Sequence, residues 1–335
     1  MTSARIKWVD HAKAVAIFLV VLLHVHCHPT LSTYINGFIM PAFFLLSGYL
    51  FSYGNNPNFK DFAKKRFRQL AIPYYWIGVI SYLFWLVALR HFGNDADTAT
   101  SWSGELFANL LAIPGNMSCN IPLWALMSFF MVEIIYYPLG KLLSDKWIVL
   151  LFLTISFVLY RMGLPEKMLP FALGPSLCGV AFYAIGRMLR EKETHVAGIR
   201  NHFLTPLATL LIFIFSVHYN QSISFYSCDY GNFSLFVLSS LSGSCLLFSL
   251  CSLISERLKR DRLIRFIAQG SLLICGFHIL IFSVIKGFAW FCFGLNPDIL
   301  TDGVLRGLIF ATTAFILTFP IIYVIQKYFR FLINK

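Results

Sequence analysis

The chain has 335 residues, of which 58% are hydrophobic and 17% aromatic, while only 13% are charged. A soluble domain carries about 25% charged residues, so this composition excludes a soluble globular fold. The net charge of +12 does not mark a nucleic-acid binder, because such proteins display their basic residues on an otherwise polar surface that this chain lacks.

Taken in chain order, apolar runs of helix-spanning length fall near 12–30, 34–53, 70–89, 121–140, 147–160, 171–189, 204–219, 232–254, 270–292 and 304–326. The fifth and seventh are short. Pro73, Gly163, Pro170, Gly231 and Gly303 punctuate their ends, as expected where helices start and stop. The fold expected is all-α, a polytopic membrane bundle of about ten helices forming one domain over residues 1–335. No cleavable signal peptide is evident. The cysteines sit mostly singly in apolar runs and read as small buried hydrophobes.

The placement of Lys and Arg sets the expected orientation. The N-terminus carries Arg5 and Lys7, and the connection after the second run carries Lys60, Lys64, Lys65, Arg66 and Arg68. The later basic connections hold Lys141 and Lys146, then Arg187, Arg190, Lys192 and Arg200, then Arg257, Lys259, Arg260, Arg262 and Arg265. Lys327, Arg330 and Lys335 end the chain. The alternate connections hold only Arg90, Arg161 and Lys167, together with the acids Asp95, Asp97, Glu105, Asp229, Asp298 and Asp302. Cytoplasmic loops are the basic ones. Both termini are therefore expected in the cytoplasm, the protein in the cell (inner) membrane, and the net charge is explained by topology.

Ionisable side chains inside a span are costly and mark function by default. The first run has two, Lys13 and His24. Eleven residues at 1.5 Å each set them about 16 Å apart along a helix, and eleven steps of about 100° return to nearly the same face. A cation near the inner leaflet thus shares a face with an imidazole beyond the midplane. The plainer reading is a snorkelling lysine and a histidine bonded to a neighbouring helix. Glu133 is the one carboxylate deep in a span, placed to orient an imidazole, to bind an acceptor hydroxyl, or to pair with a Tyr or Ser. His278, about nine residues into its run, reaches mid-membrane, where it meets His24 or bonds another helix. Arg66 and Arg68 suit phosphate but also obey the charge rule. Trp124 is a sugar-stacking or an interfacial residue. His24, His26, His28 and Cys27 do not make a metal site, because His26 leaves the face that His24 and His28 share, and no metal is expected.

Several blocks carry a resemblance. WVDHAKAVAIFLVVLLH is similar to the first-helix signature of the acyltransferase-3 family of integral membrane acyltransferases, with Asp10, Lys13 and His24 on the signature positions. INGFIMPAFFLLSGYLF resembles the next block through Pro41, Phe43, Phe44, Ser47 and Gly48, and RFRQLAIPYY the basic lead into the third helix through Arg66, Arg68, Pro73 and Tyr74. NIPLWAL resembles the start of the fourth helix, and GSLLICGFHILIF a late Ser-to-His block through Ser271 and His278. The blocks run in family order over most of the chain. Ile39 departs from many sugar O-acetylase members, which place a His before the Met-Pro of the second helix.

The resemblance implies acyl transfer, commonly of acetyl from acetyl-CoA (acyl-CoA), to a hydroxyl of an extracytoplasmic glycan or its lipid-linked sugar precursor. On that reading His24, His278 and Glu133 are the catalytic candidates and Lys13, Arg66 and Arg68 the residues for the coenzyme phosphates. Acyl-CoA, the glycan acceptor and membrane lipid are the expected partners, and nucleic acid is not. The alternative from another class is a transporter or flippase of a lipid-linked saccharide, which gives no reason for Lys13 and His24 to align.

Overall fold

The computed structural model describes residues 5–92, 101–163, 168–220, 222–258 and 261–333. Asp95, Asp97, Lys167, Lys259, Arg260 and Lys335, which enter the charge pattern above, lie outside the described residues. Among the described residues the only β pairing is the isolated bridge between Ser224 and Asp229. The remaining regular structure is helical, because a chain with so few polar side chains must satisfy its backbone internally to sit in lipid.

The helices are α1 Lys7–Leu23, α2 Pro29–Asn36, α3 Ile39–Leu50, α4 Phe59–Arg66, α5 Ile72–Phe84, α6 Trp102–Leu111 and α7 Trp124–Leu142. They continue with α8 Asp145–Arg161, α9 Leu173–Glu191, α10 Glu193–Asn201, α11 Thr205–His218, α12 Phe233–Arg257, α13 Arg262–Phe293 and α14 Val304–Tyr328. A π-helical turn over Phe67–Ala71 joins α4 to α5.

Seven helical stretches among the described residues are long and apolar enough to cross a membrane, and the bent pair α10–α11 brings the number to at most eight. The expected ten is therefore not reached. The expected first span, 12–30, begins earlier and stops sooner. α1 has 17 residues and yields at His24, after which His26 takes a left-handed φ of 53° and Pro29 opens α2. The expected fifth span is α8, also 17 residues, cut short by Asp145 at one end and Arg161 at the other. The expected seventh is α11, with 14 residues and an 85° bend from the polar α10.

α1 is nonetheless central, packing against α3, α12, α13 and α14. The basic connections meet at one end of the bundle. There Arg5 joins Asp10 to Asp261 at 2.5 and 2.8 Å, Lys141 reaches the carbonyl of Pro57, and Arg187 faces Asp145. The connections poor in basic residues meet at the other end, where Ala172 bonds to Ala112 and Tyr160 to Gly231. The segregation matches the charge alternation read from the sequence.

Candidate active site

α1, α3, α7, α13 and the π turn enclose a cavity of about 480 Å³ whose walls include both Lys13 and His24. Asp10, Arg66 and Leu50 line it toward the basic end, and Met40, Pro122 and Trp124 toward the other. Most of the remaining wall is apolar, from Ile17, Val20, Phe43, Phe129 and Leu272 among others. The few polar groups are thus held in a medium where charge interactions are strong.

At the basic end the Arg66 Nε lies 2.7 Å from Glu133 Oε2, and the Ser47 hydroxyl donates to Glu133 Oε1 at 3.0 Å. Arg66 also donates to the Gln69 side-chain oxygen at 3.0 Å and lies over the Phe62 ring. The π turn supports this arrangement. Pro73 has no N–H to offer the Gln69 carbonyl, and the helix widens over Phe67–Ala71 instead. Arg66, Gln69 and Leu70 all reach the cavity from this segment. Glu133 has its two oxygens engaged by Arg66 and Ser47, and none of its hydrogen bonds goes to an imidazole. Its carboxylate holds Arg66 in place. Lys13 differs, since no salt bridge or hydrogen bond fixes it among the described residues, and its ammonium feels the Asp10 and Glu133 carboxylates of the same wall only at longer range.

At the other end His24 closes α1. Its Nδ1 lies 2.7 Å from the Val20 carbonyl, and since a carbonyl only accepts, Nδ1 carries the proton and Nε2 keeps its lone pair. His278 on α13 repeats this arrangement, with Nδ1 donating to the Ile274 carbonyl at 2.9 Å. The two ring centroids are 5.0 Å apart. His278 is fully buried, and its Nε2 has no hydrogen-bond partner. α13 starts at Arg262 rather than near 270. His278 is therefore 16 residues along α13 and His24 17 along α1 from their basic ends, about 24–26 Å in each case. That shared depth explains how the two rings meet.

The structure does not bring Arg68 to this site: it is exposed on the π turn and does not line the cavity. His26 and His28 lie in the exposed stretch after α1, and no group of three His, Cys, Asp or Glu among the described residues is arranged to hold a metal ion. Trp124 lines the cavity with its ring stacked against Phe225. Ile39 is buried at 1% exposure and turned away from the cavity, while its neighbour Met40 lines it. His24 is the one imidazole among the residues that line the cavity. Sequence reasoning passed over the roles of Ser47 and Gln69, which are legible only once α3 and the π turn are seen to converge on Glu133 and Arg66.

Comparison with curated proteins gave no match, and comparison with solved structures gave none either. A family model described as an acyltransferase domain matches residues 6–327, a stretch that contains every cavity residue named above. With nearly its whole length matched, the chain belongs to the acyltransferase-3 family of membrane acyltransferases.

Proposed function

We propose that this membrane acyltransferase takes an acyl group, most simply acetyl, from acyl-CoA and transfers it to a hydroxyl of a cell-envelope glycan or its lipid-linked precursor, in the inner membrane. The observation that carries the proposal is one shared cavity with the ammonium of Lys13, held in no salt bridge, at one level and an imidazole with a free Nε2, His24, about 16 Å further along α1. That separation suits a ligand with an anionic head and a long arm. The phosphates of coenzyme A rest on Lys13, with remaining N–H groups of Arg66 beside it, and the thioester lies toward His24.

In this scheme the Nε2 of His24 accepts the proton of the acceptor hydroxyl as its oxygen attacks the thioester carbon. A C–O bond forms, the C–S bond breaks, and the proton passes from the imidazolium to the departing thiolate. The apolar wall keeps water from competing for the thioester. Family membership favours this over the transporter reading, since transport needs no nucleophile activation.

The test is mass spectrometry of envelope glycans from cells with and without the protein. Loss of acyl esters from one glycan on deletion supports the proposal. An unchanged acylation pattern in every envelope glycan opposes it.

A further inference from the structure

We infer that Asn120, outside the cavity, is a positioning residue for His278, through which it sets the geometry of the imidazole pair. The inference rests on the acyl-transfer reading above and adds to it a residue with no contact to either ligand.

Asn120 lies in the strap that enters α7 and is fully buried. Its amide Nδ2 donates twice, to the Ser81 hydroxyl on α5 at 2.8 Å and to the Gly276 carbonyl on α13 at 2.8 Å. Gly276 is two residues before His278. One residue nearer the helix start, the Cys275 thiol donates to the Pro122 carbonyl of the same strap at 3.6 Å. The strap therefore grips α13 at 275 and 276, within the turn whose Ile274 carbonyl fixes the His278 ring. α13 approaches α5 closely here, since a Cβ on Gly276 would lie 2.7 Å from the Ile77 side chain. The gripped turn has little room to move.

The strap is itself held from behind. Glu105 is buried at 1% exposure and accepts from the backbone N–H groups of Ser118 and Cys119 at 2.8 and 2.9 Å, and from Asn109 Nδ2 at 2.8 Å. Burial, reinforced by the neighbouring Glu105, pushes the Cys119 thiol well above its usual range. The chain of contact runs from Glu105 through Ser118 and Cys119 to Asn120, then to Gly276, and ends at His278. A ring 5.0 Å from His24 is sensitive to such support, because small misplacements near reacting groups are costly.

The experiment is a double-mutant cycle in the acyl-transfer assay with full-length protein, using Asn120→Ala, His278→Ala and the pair. Asn120→Ala is expected to lower kcat about tenfold to a hundredfold with the KM for acyl-CoA unchanged. In the His278→Ala background the same change is expected to have no further effect. Ser81→Ala, which spares the Gly276 link, is expected to leave kcat near wild type. A full additive loss in the His278→Ala background, or a wild-type kcat for Asn120→Ala, overturns the inference. Misfolding is separated by thermal unfolding in detergent, and Asn120→Ser supplies a smaller perturbation if the alanine variant is unstable. A wild-type protein that transfers no acyl group refutes the functional reading instead, and the two failures are distinct.

Discussion

The imidazoles of His24 and His278 lie with ring centroids 5.0 Å apart and planes inclined by 59°, each with its Nδ1 proton committed to a carbonyl of its own helix. Two Nε2 lone pairs are thereby presented at one depth from two different helices. Only His24 has access to the cavity, and His278 stands behind it. Replacing His278 with Ala is expected to reduce kcat about tenfold to a hundredfold, less than loss of the primary base, whose contribution is about 10²–10⁴-fold. Steady-state kinetics of the purified variant check this.

Lys13 and Arg68 are both cations that the sequence offers for phosphate, and the structure separates them. A charge-assisted hydrogen bond contributes about 1.5–3 kcal/mol, which is about a tenfold to hundredfold change in affinity. Lys13→Ala is expected to raise the dissociation constant for acyl-CoA by that factor, while Arg68→Ala leaves it unchanged. Isothermal titration of both variants decides the matter, and equal effects would remove the phosphate role from Lys13.

The Arg66–Glu133 pair gives a stability prediction. Glu133 is buried while Arg66 is one-quarter exposed, so removing one partner leaves a partly screened charge and costs about 1–3 kcal/mol. Arg66→Met and Glu133→Leu are each expected to lower the thermal midpoint in detergent, and the double variant is expected to recover most of the loss. Equal or greater loss in the double variant would show that the two charges do not balance one another.

α3 and α9 approach closely enough that reciprocal glycines meet carbonyls. A Cβ on Gly48 would lie 1.9 Å from the Tyr183 oxygen, and one on Gly186 would lie 2.0 Å from the Leu45 oxygen. Small residues of this kind let membrane helices pack backbone to backbone. Gly48→Ala is expected to destabilise the protein by about 1–3 kcal/mol through overpacking, measured by thermal unfolding. A wild-type midpoint would contradict the packing.

The parts of the fold that follow from local pattern were legible in the sequence. The apolar runs found their helices, and the separation of basic from acidic connections reappears as the two ends of the bundle. Lys13 and His24 could be placed on one face because helix geometry fixes the angle between any two residues of one segment. What the sequence hid depends on pairing across long separations. Glu133 meets Ser47 and Arg66 from different helices, and Asn120 reaches Gly276, 156 residues away. Hydropathy also does not report breaks. The stop of α1 at His24 and the 85° bend between α10 and α11 are made by a few backbone angles in segments that read as continuous or separate apolar runs. For that reason the span count came out too high.

The most direct measurement is single-turnover transfer from radiolabelled acetyl-CoA to membrane acceptor by purified wild-type protein and by His24→Ala, with acetyl-CoA binding measured alongside. The variant is expected to bind acetyl-CoA with wild-type affinity and to lose transfer by about 10²–10⁴-fold. A folded His24→Ala protein that still transfers the acetyl group at the wild-type rate would contradict the assignment of the cavity imidazole to the chemistry.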